Sequence, residues 1–116
     1  MPYVSITGLS LRSPLLYPVF SWYAVRAFGE ARRSPGNLSV EARRVAGVHH
    51  TLSVWESEAA MRAFLPMPAH KAAMRAFPLI ATGRTMGFQT DRIPSWDEAL
   101  EIWARDAKDY SGKGSA

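Results

Sequence analysis

Residues 48–64 read VHHTLSVWESEAAMRAF, and the hydrophobic period changes halfway along this stretch. Val48–Trp55 alternates apolar and polar side chains, which is the pattern of a β-strand. From Ser57, a residue suited to the N-cap, small and apolar side chains recur at helical spacing as far as Phe64. A strand that passes directly into a helix, with no long linker, indicates a compact α+β unit.

Upstream of this stretch we predict a strand, a helix and a second strand. Tyr3–Leu11 alternates like a half-buried strand, and apolar residues at helical spacing predict a helix from Pro18 to about Arg33. Leu38–Ala46 is a more polar strand that stops at Gly47. Since the next strand begins one residue later, the two strands should form a β-hairpin.

Downstream we predict a short helix over Pro68–Phe77, a strand over Gly83–Ile93 and a last helix that begins at a capping box of Ser95 and Glu98. The order is βαββαβ with a C-terminal helix. It predicts an α+β, ferredoxin-like fold with a four-stranded antiparallel sheet and helices on one face. We expect residues 1–110 to form a single domain and residues 111–116 a disordered tail.

The uncovered face of such a sheet needs a partner if it is apolar, and a second copy is the simplest one, so we expect a homodimer. Fourteen Lys and Arg against ten Asp and Glu give a net charge of +4. The basic residues are scattered, which favours a solvated surface over a nucleic-acid site. The longest uncharged stretch, Ser13–Val25, contains two prolines and is too short to span a bilayer. With no signal peptide evident, we expect a cytoplasmic protein with no nucleic-acid or membrane partner.

Several chemistries are excluded by composition and motif. The chain has no Cys, which excludes a disulfide framework, a thiolate metal site and a Cys nucleophile. It has no nucleophile elbow, Walker loop or Rossmann glycine run, which argues against hydrolases, NTPases and dehydrogenases.

The three histidines are the candidate polar groups. His49 and His50 are adjacent on a strand and point to opposite faces, so they cannot chelate one metal ion, and we expect no metal site. Parity groups His50 with Leu52 and Val54, the apolar set expected to face the helices. His50 is therefore a candidate catalytic base, or else a hydrogen-bonded core histidine. His49 shares its face with Trp55, which we assign to the dimer contact.

Aromatic residues on the first helix form the second candidate feature. Phe20, Trp22, Tyr23 and Phe28 lie within nine residues, and Arg26 lies among them. These side chains could line a pocket for a planar, apolar ligand, although aromatic residues at helical spacing more often pack in a core. His70, near a helix N-terminus where the macrodipole disfavours its charged form, is a surface or lid residue. The candidate substrate-binding residues are Trp22, Tyr23, Arg26, Phe20, His49, Trp55 and His70.

The runs TLSVWESEAAMRAF and PAHKAAM resemble dimeric α+β barrel proteins of the antibiotic-biosynthesis-monooxygenase kind. The likeness is nearest to the branch described as spheroidene-monooxygenase-like. In those proteins a strand ends in a W-E-[SD] turn and leads into a helix, and a second helix begins near a histidine. The residues that fit this pattern are Trp55, Glu56, Ser57, Phe64 and His70.

The resemblance implies a homodimer with a pocket in each subunit between sheet and helices. Characterised members oxidise electron-rich aromatic compounds with O2 and need neither metal nor flavin, because the substrate anion supplies the electrons. On this basis His50 would be the base, Trp22 a wall and Arg26 the partner of the anion. The expected function is a small oxygenase that acts on a hydrophobic aromatic or polyene substrate. The alternative is a non-catalytic ligand-binding or structural homodimer of the same fold.

Cofactor use differs between branches of the resembling family. One branch degrades haem with an Asn on the first strand and a Trp and a His on the second helical segment. Here the first strand has no Asn, and Phe64 and Met74 stand at the other two places, which argues against that route. Spheroidene-type enzymes do use haem. We therefore expect no required cofactor, with haem left open and His50, His49 or His70 as its candidate ligands.

Overall fold

The computed structural model describes residues 1–109, so the tail predicted over residues 111–116 lies outside the described residues. The elements in chain order are β1 (Tyr3–Leu11), a 3-10 turn (Pro14–Leu16), α1 (Tyr17–Arg33), β2 (Asn37–Val45), β3 (Val48–Trp55), α2 (Glu58–Phe64), α3 (Pro68–Ile80), β4 (Ala81–Gln89), α4 (Trp96–Asp106) and the short β5 (Lys108–Asp109).

The strands form one antiparallel sheet in the order β2-β3-β1-β4-β5. β1 lies between β3 and β4, which is the ferredoxin-like arrangement, so the predicted fold class is confirmed. β5 adds a two-residue fifth strand at one edge. The predicted hairpin joins β2 and β3 through Ala46 and Gly47, both with positive φ, 52° and 82°. Two such residues match the twist of antiparallel strands.

The helices α1, α2 and α3 lie on one face of the sheet. At one end of this layer Leu9 of β1 packs with Phe20 and Phe77. At the other end Trp55 of β3 packs with Val40 and Phe64. These two apolar clusters hold the ends of the helix layer onto the sheet, and the candidate site lies between them.

The opposite face of the sheet is covered by α4. Ala99 is fully buried against Val4, Ile6, Leu52 and Val54 of the sheet. The indole Nε1 of Trp96 donates a hydrogen bond to Glu41 Oε1 at 2.7 Å, which ties α4 to β2. The prediction that this face is left uncovered is therefore wrong, because the amphipathic C-terminal helix packs its apolar side there. A homodimer stays a prediction.

Element boundaries differ from the sequence-based ones by a few residues. α3 continues through Pro78 to Ile80, and β4 begins directly afterwards at Ala81. The Pro78 carbonyl lies in the last turn of α3, where carbonyls have no partner within the helix, and the guanidinium of Arg12 donates a hydrogen bond to it at 2.9 Å. Among the described residues, no helix has the length and apolar character needed to cross a membrane.

Candidate active site

A cavity of about 750 Å³ lies between the sheet and the layer of α1, α2 and α3. It exists because small side chains face one another across the interface. α1 turns Ala27 and Ala31 toward the sheet, and α3 turns Ala73 toward it. The strands opposite carry short Ser and Thr side chains. Neither layer can fill the space between them, which leaves a volume in the range of small-molecule sites.

The floor of the cavity is a patch of hydroxyl groups from three strands. Thr7 Oγ1 and Thr85 Oγ1 lie 3.0 Å apart and share a hydrogen bond. Ser53 Oγ accepts a hydrogen bond from Trp55 Nε1 at 3.1 Å. Hydroxyls can both donate and accept, so this floor can bind the oxygen atoms of a ligand. The floor residues are Ser5, Thr7, Thr51, Ser53 and Thr85.

The two ends of the cavity are aromatic. At one end the rings of Phe20 and Phe77 lie 5.3 Å apart between centroids. At the other end the rings of Trp55 and Phe64 lie 5.1 Å apart. All four side chains are buried. A planar apolar ligand would therefore contact rings at both ends and hydroxyls beneath it.

His70, in the first turn of α3, is the histidine that lines the cavity. Its Nδ1 lies 2.9 Å from the carbonyl oxygen of Leu65. Because a carbonyl can only accept, Nδ1 must carry the proton, and in the neutral ring Nε2 is then an acceptor. The ring also packs against that of Phe64, with the centroids 4.6 Å apart and the planes tilted by 56°. His70 is thus held in one tautomer that keeps a basic nitrogen free of the Leu65 contact.

Two opposing influences act on the charge state of His70. Burial lowers the pKa of its imidazole, and the Leu65 hydrogen bond and the charge of Glu30 partly oppose that effect. The Glu30 carboxylate accepts hydrogen bonds from the backbone N–H groups of Ala69 at 2.9 Å and His70 at 2.8 Å. It therefore caps the N-terminus of α3. The net lowering keeps His70 neutral at neutral pH, which is the form that can accept a proton.

Tyr3 and Arg62 bring further polar groups to the cavity wall. The Tyr3 phenol lies against Gly87, whose missing side chain makes room for it. Burial and the charge of Glu58 raise the pKa of Tyr3, and Arg62 opposes them. Arg62 itself forms an ion pair with Glu58 at 2.7 Å. Tyr3 is not among the site residues predicted from the sequence, although its alternation with Ser5 and Thr7 places the three side chains on one face of β1.

Three of the predicted substrate-binding residues line the cavity: Phe20, Trp55 and His70. The other residues predicted on α1 do not. Trp22 is 54% exposed, and the Arg26 guanidinium lies over its ring, 4.1 Å from the centroid. Tyr23 packs at the edge of the helix layer beside Phe77, outside the cavity lining.

His50 does not face the helix layer, so its predicted position is wrong. It lies on the α4 side of the sheet, 4% exposed, with its ring edge-on to Trp103 at 4.7 Å between centroids. Its Nδ1 is buried and has no hydrogen-bond partner among the described residues. Burial lowers its pKa. The His50 side chain therefore has no access to the cavity and cannot act there as the predicted general base.

His49 is on the face opposite to the predicted one. It packs against α1, with its ring 4.7 Å from that of Phe20 and 5.7 Å from that of Tyr17. Burial and the charge of Arg44 lower its pKa. The strand alternation separated His49 from His50 correctly, but the assignment of the two faces was reversed. The reason is that both faces of the sheet are covered by helices.

The described residues contain no cluster of three or more His, Asp or Glu that could hold a metal ion. Of the three histidines considered as haem ligands, His70 is the one that lines the cavity. A haem iron could bind only at Nε2, because Nδ1 is held by Leu65. His49 and His50 lie outside the cavity lining and do not fit that role.

Known proteins resemble this chain in sequence over its central segment and in fold over most of its length. The sequence model of the family described as antibiotic biosynthesis monooxygenase matches residues 23–76. This segment runs from the middle of α1 into α3 and includes His70 and most of the cavity wall. No curated protein matches the sequence.

Solved structures with the same fold share little sequence with this chain. SnoaB, a cofactor-independent oxygenase from Streptomyces nogalater, has a TM-score of 0.67 and 16% identity over 81% of this chain and 98% of its own. Rv0793 from Mycobacterium tuberculosis has a TM-score of 0.70 and 12% identity over 80% of this chain and 99% of its own. A candidate antibiotic biosynthesis monooxygenase from Deinococcus radiodurans has a TM-score of 0.70 and 16% identity over 80% and 96%.

At these identities the structural matches establish the fold alone. The sequence match adds the family to which the central segment is similar. Residues 23–76 thus match the antibiotic biosynthesis monooxygenase domain, set in the ferredoxin-like fold that these solved structures share.

Proposed function

We propose that this protein is a small oxygenase of the antibiotic biosynthesis monooxygenase family, acting on a hydrophobic aromatic or polyene substrate in the cavity beneath α1 and α3. The observation that carries the proposal is the position of His70: a neutral imidazole on the wall of an apolar cavity of about 750 Å³. The family match over residues 23–76 supports the reaction class. A structural neighbour described as a cofactor-independent oxygenase supports it further.

The proposed reaction begins with proton transfer to His70. An electron-rich aromatic substrate with a weakly acidic CH2 or OH group gives its proton to Nε2. The substrate anion then supplies electrons to O2. When the reacting group is CH2, one oxygen atom of O2 becomes a carbonyl oxygen on that carbon, and the other leaves as water with the two hydrogens. The protein has to remove a proton and exclude bulk water.

The cavity walls match these two tasks. Phe20 and Phe77 at one end, and Trp55 and Phe64 at the other, exclude water from a planar substrate. The hydroxyl floor around Thr7 and Thr85 can donate hydrogen bonds to a substrate oxygen that gains negative charge. Trp22 and Arg26, proposed from the sequence as wall and anion partner, lie outside this cavity, so we assign those roles to the residues that line it.

The proposal also includes the branch of the family and the oligomeric state. The spheroidene-monooxygenase-like branch is supported by the turn at Trp55 and Ser57 and by His70 at the start of α3. A homodimer is supported by the family resemblance. α4 covers the sheet face that was expected to be open to a second copy, so that copy would have to pack around or against the helix.

The test is oxygen uptake with anthrone, chosen because its CH2 group is acidified by a neighbouring aromatic ketone. We expect the protein to convert anthrone to anthraquinone, with one oxygen atom of 18O2 in the product. His70→Gln keeps a donor for the Leu65 carbonyl but lacks the base, and we expect its turnover to fall by roughly 10²- to 10⁴-fold. His49→Gln is the matched control, since His49 does not line the cavity.

A rate for the wild-type protein no higher than that of buffer, together with saturable binding of anthrone, would contradict the oxygenase proposal. That result would favour the alternative, a ligand-binding protein of the same fold. Equal losses in the His70 and His49 variants would contradict the role of His70. Retention of full turnover by His70→Gln would do so as well.

A further inference from the structure

The outer surface of the helix layer, facing away from the sheet, carries several exposed apolar side chains. Leu15 in the turn before α1 is 87% exposed, and Val25 on α1 is 69% exposed. Val19 and Trp22 lie between them at helical spacing and are also exposed. Leu79, on the last turn of α3, is 79% exposed. Large aliphatic side chains with this degree of exposure, grouped on one pair of helices, are typical of an interaction surface.

The charges on this surface have one sign. α1 and α3 carry five basic residues, and none of them forms a salt bridge within residues 1–109. The acidic residue within these two helices is Glu30, and its carboxylate is occupied by the amides of Ala69 and His70. The basic residues are Arg26, Arg32, Arg33, Lys71 and Arg75.

The opposite side of the molecule carries no such excess of one sign. α4 contains four acidic residues, Asp97, Glu98, Glu101 and Asp106, and one basic residue, Arg105. Arg43 lies over Trp96, Arg84 lies over Trp103, and Arg92 forms an ion pair with Glu98. Basic and acidic side chains are therefore mixed on the α4 side, unlike on α1 and α3. The arginines are scattered along the sequence, which does not show which of them the fold brings together.

We propose that the α1–α3 outer face, defined by Leu15, Val25 and Leu79 with the five basic residues, docks on the surface of an anionic lipid membrane. Basic residues beside exposed Trp, Leu and Val side chains are the composition of interfacial helices, which lie in the plane of the membrane. This inference goes beyond the proposed function. It also revises the expectation of no membrane partner, which was based on the absence of a spanning segment.

A lipid surface fits this face better than a nucleic acid. The exposed aliphatic side chains would gain nothing from a phosphate backbone, and one face of the Trp22 ring is already covered by Arg26. Lipid headgroups, in contrast, attract the basic residues while the boundary with the acyl chains accepts the aliphatic ones.

The position of the cavity is consistent with docking. Leu65 and Met74 both line the cavity and are exposed on the helix side of the molecule. The cavity therefore reaches the surface beside the α1–α3 outer face. A hydrophobic compound dissolved in a membrane would enter the cavity without crossing water.

The test is co-sedimentation with vesicles of phosphatidylglycerol and phosphatidylcholine in equal parts, and with vesicles of phosphatidylcholine alone. We expect binding to the anionic vesicles that weakens as NaCl is raised, and at least tenfold weaker binding to the neutral ones. Arg32→Ala with Arg33→Ala should weaken binding by about fivefold per arginine. The same change at Arg43 and Arg44 of β2 is the matched control and should have little effect.

The aliphatic side chains are tested in the same way. Leu15→Ser with Val25→Ser should weaken binding at least tenfold, whereas Leu38→Ser with Ile93→Ser, at exposed positions outside α1 and α3, should not. All four pairs alter exposed residues, so the variants should fold, which circular dichroism checks. Equal binding to neutral vesicles, or equal effects of test and control pairs, would overturn the proposal. So would a failure to bind vesicles combined with self-association that Leu15→Ser and Val25→Ser abolish, which would identify the face as a contact between copies.

Discussion

The Glu30 carboxylate on α1 accepts a hydrogen bond from the backbone N–H of His70 at 2.8 Å, although the two residues are 40 positions apart in the chain. The same carboxylate binds the neighbouring amide of Ala69. A side chain of one helix therefore caps the N-terminus of another and fixes the turn that carries His70. This contact connects the stability of the helix layer to the geometry of the proposed active site.

Removing the charge of Glu30 should destabilise the protein. Glu30→Gln keeps the shape but gives up a charged acceptor at a helix N-terminus, so we expect the free energy of unfolding to fall by about 1 kcal/mol. Urea denaturation measures the change. Glu101→Gln, at an exposed position of α4, is the control and should change the free energy by less than about 0.5 kcal/mol. Equal effects would show that Glu30 is not a cap.

Filling the cavity should weaken ligand binding without destabilising the fold. Ala73 is 1% exposed and lines the cavity. In Ala73→Leu the added side chain can extend into empty space, so we expect unchanged or higher stability and at least tenfold weaker binding of anthrone. Calorimetric titration measures the affinity. Ala104→Leu, on the exposed side of α4, should bind anthrone like the wild-type protein, and unchanged affinity of Ala73→Leu would place the ligand elsewhere.

Two glycines should respond to alanine in opposite directions. A Cβ on Gly8 would collide with the Trp103 ring and lie 2.9 Å from Cε1 of His50. We expect Gly8→Ala to lower the free energy of unfolding by about 1–3 kcal/mol. Gly29 lies within α1, and a Cβ there meets only the flexible end of Arg33. Gly29→Ala should therefore stabilise the protein by about 0.5–1 kcal/mol. Thermal unfolding measures both changes, and effects of the same sign would contradict the packing described here.

Stability should decrease as the pH falls below about 6.5. Burial lowers the pKa of all three histidines from 6.5, so the unfolded chain binds more protons than the folded one just below that pH. The free energy of unfolding must then fall with pH through this window and level off below the folded-state pKa values. Each histidine contributes at most about 1.4 kcal/mol per pH unit.

His50 should supply part of that slope, because its ring is buried against Trp103 and its Nδ1 has no partner among the described residues. His50→Gln removes the titrating group, so the slope between about pH 6.5 and 5 should become shallower, whatever its effect on stability at neutral pH. Urea denaturation across this pH range is the measurement. An unchanged slope, or an NMR titration of His50 above its ordinary pKa, would contradict the burial of a neutral imidazole.

The order of the elements could be predicted from local signals. The strand predicted over Val48–Trp55 has those bounds in the structure, and the capping box at Ser95 and Glu98 does begin α4. Both signals lie within a few consecutive residues: alternation in the strand, and reciprocal side-chain bonding at the helix start. Local signals of this kind predict the structure correctly where tertiary contacts favour the same conformation.

The sides of the sheet could not be predicted in the same way. Alternation separates His49 from His50 but does not say which helices cover each face. The apolar set with Leu52 was assigned to α1 and α3, yet it lies under α4. The hydroxyl set with Thr51 and Ser53 shares the face predicted to form the dimer contact, but it forms the floor of the cavity because the helices above it present Ala27 and Ala73. The cavity depends on small residues from separate elements, which no local pattern reveals.

The pH dependence of kcat/KM for anthrone oxidation tests the central claim, that His70 is the base of the proposed oxygenase, most directly. Only the neutral imidazole can accept the proton, and burial lowers the pKa of His70. We therefore predict that kcat/KM rises with pH to a plateau, with its inflection below 6.5, and that His70→Gln loses both the rate and the inflection. A profile with the same inflection in His70→Gln, or a wild-type inflection above 6.5, would contradict the account.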